Sequence, residues 1–187
     1  MHKKLFLAGV AALILLPLLN SKARAQHSAP KVEVGGQFSV IRFRDLDTTD
    51  VGVGGRISYN ITDLIALEGE VNFFPKDGTG FFESGQKTQG LFGIKTGFRS
   101  SGAGIFAKVR PGFIRFSRDF DSFGEAKTDF AIDVGSVIEL YPSKHTLVRF
   151  DVGDTIVRFG DRITPVGPIS GFTSHNFQFS AGFSVRF

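Results

Sequence analysis

The sequence predicts an all-β fold, namely an eight-stranded antiparallel up-and-down transmembrane β-barrel. Three observations lead to this prediction. Apolar and polar residues alternate with a period of two in eight segments, as they do in strands whose two faces meet different surroundings. The connections between these segments are alternately short and long, as in barrels that span a membrane. The chain also ends on an alternating segment whose last residue is Phe187.

Each of the eight segments is close to the ~9–11 residues that a tilted strand needs to cross a bilayer. They cover residues 32–42, 51–61, 64–74, 89–99, 104–115, 129–141, 145–153 and 177–187. In the first seven, the apolar rows run from Val32 to Val40, from Val51 to Ile61, from Ile65 to Phe73, from Phe92 to Phe98, from Ile105 to Phe113, from Phe130 to Leu140 and from Thr146 to Val152. The seventh is the weakest, because Asp154 interrupts its row.

The last segment is the clearest strand. Its apolar row consists of Phe177, Phe179, Ala181, Phe183, Val185 and Phe187. The opposite row contains only polar residues and glycine, namely Gln178, Ser180, Gly182, Ser184 and Arg186. Since successive side chains of a strand point to opposite faces, one face is wholly apolar and the other is not.

The amino terminus reads as an export signal. A basic start at residues 2–4 is followed by an apolar run over residues 5–19, which is too short for a comfortable helical membrane span. Ala23 and Ala25 supply the small residues of a signal-peptidase site, so an uncleaved anchor helix is disfavoured. We predict cleavage after Ala25, with residues 1–25 as the signal and residues 26–187 as the barrel domain.

Removing the signal changes the charge balance. Four of the 22 Lys and Arg residues and none of the 18 Asp and Glu residues lie in the signal, which leaves 18 of each sign. The basic character of the full chain is therefore no argument for nucleic-acid binding. The chain has no cysteine, so an exported fold must be held together without disulfides.

The connections predict the orientation. Short turns are predicted at residues 60–63, 100–103 and 142–144, and longer connections at residues 43–50, 75–87, 116–127 and 160–174. In outer-membrane barrels the short turns lie in the periplasm and the long loops outside the cell. Tyr59 and Tyr141 both fall at the short-turn end, where an aromatic girdle is expected.

The faces could be arranged in two ways. In a membrane barrel the phenylalanine-rich row faces lipid and the charged row fills the lumen, whereas a soluble lipocalin-like barrel places the apolar row inside. The charged row contains small residues and six charges of each sign, which favours a narrow, neutral lumen. Besides Glu33 and Arg56, the predicted lumen ion network comprises Glu68, Glu70, Lys95, Lys108, Arg110, Asp133, Glu139, Arg149, Asp151 and Arg186.

The chain resembles the small outer-membrane barrels of the OmpA transmembrane-domain and OmpX type. The terminal run from Phe183 to Phe187 resembles the signal that the barrel-assembly machinery reads, carried by Phe183, Val185 and Phe187. The charges Glu68, Lys95, Glu139 and Arg149 stand where the OmpA barrel has its lumen ion network. The absence of tryptophan departs from the family, because its usual girdle would rest largely on phenylalanine.

Catalytic and metal-binding residues are sparse. Some outer-membrane barrels act on lipid A with a Ser/His pair and an acid. His145 lies near Ser143, and His175 follows Ser174 with Asp161 upstream, but neighbours in a strand point to opposite faces. The first long connection contains Asp45, Asp47 and Asp50 without the glycine and glutamate of an EF-hand. We therefore predict no enzyme activity, no metal site and no cofactor.

These observations predict a structural or cell-surface interaction protein of the outer membrane that acts through four extracellular loops. The expected partners are outer-membrane lipid and lipopolysaccharide, the barrel-assembly machinery, and a loop partner that the sequence does not identify. Three alternatives remain at this stage: a small or gated pore, a lipid-A-modifying enzyme, and a soluble ligand-binding barrel.

Overall fold

The computed structural model describes residues 30–45, 47–75, 85–117, 126–164 and 167–187, with no description of the side chains of residues 162–169. The predicted signal and its cleavage residues, Ala23 and Ala25, lie outside the described residues. Within the described ranges, no helix is long and apolar enough to cross a membrane.

Eight long antiparallel strands form the barrel. They are β1 (Val32–Phe43), β2 (Thr48–Asn60), β3 (Ile65–Phe74), β4 (Lys87–Arg99), β5 (Ala103–Phe116), β6 (Lys127–Leu140), β7 (Thr146–Arg158) and β10 (Thr173–Arg186). Two short strands, β8 (Arg162–Thr164) and β9 (Gly167–Ile169), pair with each other in the connection between β7 and β10. The predicted number and direction of the barrel strands are confirmed.

The sheet closes between the first and last strands. Its order is β1-β10-β7-β6-β5-β4-β3-β2, so every strand lies beside its neighbour in the chain, apart from the inserted hairpin. In the closing pair, Glu33 lies opposite Arg186 and Val40 lies opposite Phe179. Closure gives every strand a hydrogen-bonded partner on both sides, which a β-structure in lipid requires.

The apolar rows face outward and the charged rows face inward. Phe38 is 69% exposed and Phe92 is 62% exposed, whereas Lys95, Arg110 and Arg149 are 0% exposed. This is the inverse of a water-soluble barrel, in which apolar side chains are the buried ones. The soluble lipocalin-like alternative is therefore wrong.

Inward glycines allow the narrow lumen to be filled. A Cβ atom on Gly54 would lie 2.0 Å from the Asn72 Oδ1 atom, and one on Gly112 would lie 1.9 Å from the Gly90 carbonyl oxygen. Both distances are far shorter than van der Waals contact. At Gly54 the missing side chain thus makes room for a polar side chain of the neighbouring strand.

Most strand limits differ from the prediction by one or two residues, and the end of β7, the start of β10 and the start of β2 differ by more. β7 runs through Asp154 to Arg158, because the Asp154 carboxylate is hydrogen-bonded at 2.6 Å to the His175 ring on β10 and does not end the strand. β2 already begins at Thr48, so the first predicted loop shrinks to residues 44–47. Asp50 reads as a loop residue, but it lies inside the barrel in contact with Lys87.

Candidate functional site: the barrel lumen

Most side chains of the lumen form four layers from the short-turn end to the long-loop end, and Asp50, Lys87 and Asp129 are also buried at the long-loop end. The lower charged layer comprises Glu33, Lys95, Arg99, Glu139, Tyr141 and Arg186. The central charged layer comprises Arg56, Glu68, Glu70, Lys108, Arg110, Asp133, Arg149 and Asp151. The amide layer comprises Gln37, Ser39, Asn72, Gln89, Thr155, Gln178 and Ser180. The aromatic layer comprises Ile41, Phe43, Phe74, Ile114, Phe116, Ala131, Val157 and Phe159.

Lys95 is the centre of the lower charged layer. Its ammonium group contacts the Glu139 carboxylate directly. The same nitrogen lies 3.5 Å from Glu33 Oε2 and 3.4 Å from Glu68 Oε1. Arg186 adds a second cation, with its Nε atom 3.4 Å from Glu33 Oε1. A fully buried lysine is therefore surrounded by three carboxylates, which offset the cost of its desolvation.

Tyr141 belongs to this layer and not to an external girdle. Its side chain is buried, and its hydroxyl donates to Glu139 Oε2 at 2.8 Å. The Arg99 Nε atom in turn donates to the Tyr141 hydroxyl at 2.9 Å. Burial and the neighbouring Glu139 carboxylate raise the pKa of Tyr141 above its ordinary value. The girdle prediction is wrong for Tyr141, whereas Tyr59 faces outward at 49% exposure.

Arg149 joins two carboxylates of the central charged layer. One terminal nitrogen contacts Glu68 Oε1, and the other donates to Glu68 Oε2 at 2.9 Å. The same guanidinium donates to both oxygens of Asp151, at 2.7 and 2.8 Å. Paired N–H···O bonds of this kind fix the orientation of a guanidinium as well as its charge.

Arg110 likewise joins two carboxylates of the central charged layer. Its guanidinium donates to Glu70 Oε2 at 2.5 Å and to Asp133 Oδ2 at 2.6 Å. Lys108 then links Asp133 to Asp151, at 2.9 and 3.1 Å. Since each acid lies between two cations, the central layer is a continuous network and not a set of isolated pairs.

The structure places all ten predicted lumen residues inside the barrel. It also brings together the four charges that carry the OmpA resemblance. Arg149 contacts Glu68 and lies 3.5 Å from Glu139, while Lys95 reaches both of these acids. In the described strands the buried charges number eight acids and, with the partly buried Arg99, eight bases. This balance leaves no net charge to be desolvated.

The amide layer lies above the charges. Gln37 donates to Asn72 at 2.8 Å, and Asn72 donates to Glu70 and Gln89 at 2.7 and 2.9 Å. The amides of Gln89 and Gln178 then exchange two hydrogen bonds at 3.0 and 3.1 Å. These hydrogen bonds form a chain across the lumen that connects β1 to β3, β3 to β4, and β4 to β10.

The aromatic layer was not predicted. Phe43, Phe74, Phe116 and Phe159 point into the long-loop end of the lumen and are at most 2% exposed. The Phe116 ring centroid lies 6.2 Å from that of Phe43 and 5.7 Å from that of Phe159. The sequence does indicate this layer, because each of these phenylalanines occupies a position of its strand that faces inward by the alternation.

The candidate catalytic residues are not arranged as a triad. Ser174 is buried and donates to Asn176 at 3.0 Å, whereas His175 lies on the outer face and bonds Asp154. Asp161 accepts from the Gly171 backbone N–H at 2.6 Å. At the other end, the Ser143 hydroxyl is 2.8 Å from that of Thr146.

The aspartates of the first connection do not converge either. Asp47 pairs with Arg42 at 3.6 Å on the surface, whereas Asp50 contacts Lys87 inside the barrel. Asp45 is exposed. Across the described ranges, no group of three or more His, Asp or Glu side chains is placed to hold a metal ion.

The terminal residues Phe183, Val185 and Phe187 lie on the outer face of the closing strand. They are 51%, 40% and 70% exposed, respectively. The Phe187 backbone N–H donates to the Val32 carbonyl at 2.8 Å, and the Val32 N–H donates back at 3.2 Å. The end of the chain therefore completes the pairing of the first strand.

Comparison with known proteins agrees with this architecture. The family model for the outer membrane protein beta-barrel domain matches residues 11–187. Neisserial surface protein A has a similar structure, with 15% identity, a TM-score of 0.53, and coverage of 83% of this chain and 96% of that one. The N-terminal barrel of Pseudomonas aeruginosa OprF is also similar, with 11% identity, a TM-score of 0.56, and coverage of 86% of this chain and 100% of that one.

Ail, the attachment invasion locus protein of Yersinia pestis, is similar at 12% identity and a TM-score of 0.54, with coverage of 87% of this chain and 100% of that one. At these identities the likeness concerns the fold. No curated protein matches the chain by sequence. The family match over nearly the whole chain and the lipid-facing apolar rows together place the protein in the outer membrane, and the chain belongs to the outer membrane protein beta-barrel domain family.

Proposed function

We propose that this outer-membrane protein is a non-enzymatic scaffold that presents its extracellular loops for binding at the cell surface. The observation that carries the proposal is the filled interior. The charged layers consist of paired groups, and the aromatic layer covers them at the extracellular end. The barrel therefore supplies rigidity, and specificity falls to the loops.

A pore is disfavoured by the same observation. Eight strands leave an interior that is only just wide enough for side chains. Here the largest of these, Arg110 and Arg149, are fully buried and bonded on several sides. Opening a path would break several ion pairs together, and each buried pair costs about 3–5 kcal/mol to break by removing one partner.

A lipid-A-modifying enzyme is disfavoured by the positions of the candidate nucleophiles. Activation of a serine requires a base within hydrogen-bond reach, about 2.6–3.2 Å. Ser174 and His175 lie on opposite faces of β10. The His175 ring is engaged with Asp154, which pairs with it on the lipid-facing side.

Three connections at the extracellular end are long enough to carry a binding surface. They follow β3, β5 and β7, and cover residues 75–86, 117–126 and 159–172. The first connection, residues 44–47, is as short as the periplasmic turns. We therefore assign binding to the later three connections, which narrows the four loops expected from the sequence.

The test replaces residues 76–84, 118–125 and 162–169 with short Gly-Ser segments and compares the variant with the intact protein in lipid nanodiscs. The matched control is a Gly-Ser replacement of the periplasmic turn at residues 100–102. The probe is sucrose octasulfate, the heparin analogue held by Ail in its solved complex. Binding that is lost only with the extracellular replacements supports the proposal. Binding that survives them, or catalytic turnover of lipid A by the intact protein, contradicts it.

A further inference from the structure

The outward-facing rows of side chains differ in charge between the two ends of the barrel. At the short-turn end, the outward residues of the described strands carry no charge; they include Val34, Ile57, Leu67, Phe98, Ile105, Leu140, Val148 and Val185. At the long-loop end, the same rows continue into charged residues and a histidine, namely Arg42, Arg115, Asp154, Arg158 and His175. Exposed Arg44 follows the end of β1. In outer-membrane barrels the end with the long loops faces the cell exterior, so we infer that these residues lie at the level of the outer leaflet.

These charges are concentrated on one side. All except Arg115 lie on the contiguous strands β1, β10 and β7, or directly after β1. Arg158 lies opposite Thr173, and the Arg44 backbone N–H donates to Asn176 on β10 at 3.3 Å. Arg44 and Arg158 therefore flank β10, two interstrand spacings or about 10 Å apart. We call Arg42, Arg44 and Arg158 the cationic face.

Two acids of this region are already engaged, whereas Asp45, which follows Arg44, is exposed. Asp154 accepts from the His175 ring at 2.6 Å, and Asp47 lies 3.6 Å from Arg42. Among the described residues, no carboxylate lies within 4.0 Å of the guanidinium groups of Arg44 or Arg158. The cationic face thus presents two exposed arginines directly above an apolar surface formed by residues such as Phe177 and Val152.

We propose that the cationic face binds the phosphate groups of lipid A in the outer leaflet. Guanidinium groups bind phosphate oxygens through charge-assisted and often bidentate hydrogen bonds. The apolar rows beneath Arg44 and Arg158 contact the acyl chains of the same lipid, so one molecule satisfies both surfaces. This inference rests on the location in the outer membrane and is independent of ligand binding by the loops.

The absence of tryptophan makes the test specific. One variant carries Phe177→Trp, on the outer face opposite Arg42 and beside the cationic face. The matched control carries Phe113→Trp, two residues from Arg115 on β5. Arg115 is also exposed at the extracellular end, but its cross-strand neighbours are Thr88 and Thr128, so it is an isolated cation.

Each variant is reconstituted in phosphatidylcholine bilayers that contain lipid A with a nitroxide on an acyl chain, which quenches nearby tryptophan. Quenching at Phe177→Trp is expected to exceed that at Phe113→Trp. The preference is the ratio of quenching at Phe177→Trp to quenching at Phe113→Trp. It is expected to fall about fivefold for each arginine that Arg44→Gln/Arg158→Gln removes, which is the contribution of one cation at an anionic lipid surface. Arg44→Lys/Arg158→Lys retains most of the preference, and heat-dependent gel migration verifies that each variant is folded.

Two further lipids identify the group that is bound. Nitroxide-labelled lipid A without its phosphates is expected to show no preference for the Phe177→Trp site. Labelled phosphatidylglycerol is expected to bind more weakly than lipid A, because it presents a single phosphate. Equal quenching at the two tryptophan sites, a preference that survives Arg44→Gln/Arg158→Gln, or equal binding of either comparison lipid would overturn the proposal.

Discussion

Removing Arg149 is the sharpest perturbation of the lumen network. The substitution Arg149→Met keeps much of the side-chain length and removes the charge. It leaves Glu68 without its paired hydrogen bonds and removes two bonds from Asp151. Both acids keep other cations, with Lys95 at 3.4 Å from Glu68 and Lys108 at 3.1 Å from Asp151. The loss should therefore lie within the ~3–5 kcal/mol that is typical for breaking a buried pair.

A double-mutant cycle separates the pair from the surrounding charges. Glu68→Gln removes the charge of the direct partner and preserves its shape. The double variant Glu68→Gln/Arg149→Met should lose less than the two single losses combined, with a coupling of about 1–3 kcal/mol. The cycle of Glu139→Gln with Arg149→Met should give a smaller coupling, because these groups are 3.5 Å apart and Glu139 keeps its contact with Lys95.

The assay is urea unfolding in lipid vesicles, followed by circular dichroism because the chain has no tryptophan. Lys144→Met in the exposed turn after β6 is the control, with an expected loss of at most about 1 kcal/mol. Losses that simply add for Glu68 and Arg149, or a loss for Arg149→Met no larger than that for Lys144→Met, would refute the account of a coupled network.

Three further predictions concern the outer face, the chain end and barrel closure. Phe150→Arg, on the lipid-facing side of β7, should destabilise the fold by about 2–4 kcal/mol in lipid vesicles, the range for a position near the bilayer midplane, whereas Ser101→Arg in a periplasmic turn should have little effect. Deleting Phe187 should lower the amount of barrel assembled in cells while the purified chain still folds in detergent; unchanged assembly would remove the terminal signal from the account. The unheated protein should migrate differently from the boiled protein on a gel, since a closed barrel resists detergent, and identical migration would contradict closure.

The strands and their faces could be predicted because alternation is a local property. Phe177 and Gln178 point to opposite sides whatever the rest of the chain does. Parity alone therefore placed the ten lumen residues inside once the apolar face was assigned to lipid. That assignment followed from the balance of charge and from the small residues on the polar row.

The connections within the lumen could not be predicted from parity. Glu68 and Arg149 are 81 residues apart and lie on strands β3 and β7, which are not neighbours in the sheet. Whether their side chains meet depends on the stagger of the strands around the barrel, which the alternation does not specify. The resemblance to OmpA suggested this set, and Arg110 was predicted inside without its partners.

The remaining errors arose where residue type and parity disagreed or where a strand end was misplaced. The residue type of Tyr141 favours a girdle position, although its polar hydroxyl reaches a carboxylate inside the barrel. Phe43 and Phe116 fall in predicted connections, because the first and fifth predicted strands end at residues 42 and 115, whereas the structure extends both strands by one residue and buries these rings. The charge of Asp154 predicts the end of a strand, whereas a neighbouring histidine satisfies its carboxylate at the lipid face.

The most direct test of the central claim, a barrel whose lumen is filled and closed, is conductance in planar lipid bilayers. The folded wild-type protein, reconstituted in one orientation, should produce no current steps above those of the bare bilayer. Arg149→Met should remain closed as well, because the aromatic layer and the other ion pairs still fill the lumen. Steady, protein-dependent current steps from the wild-type barrel would contradict the account.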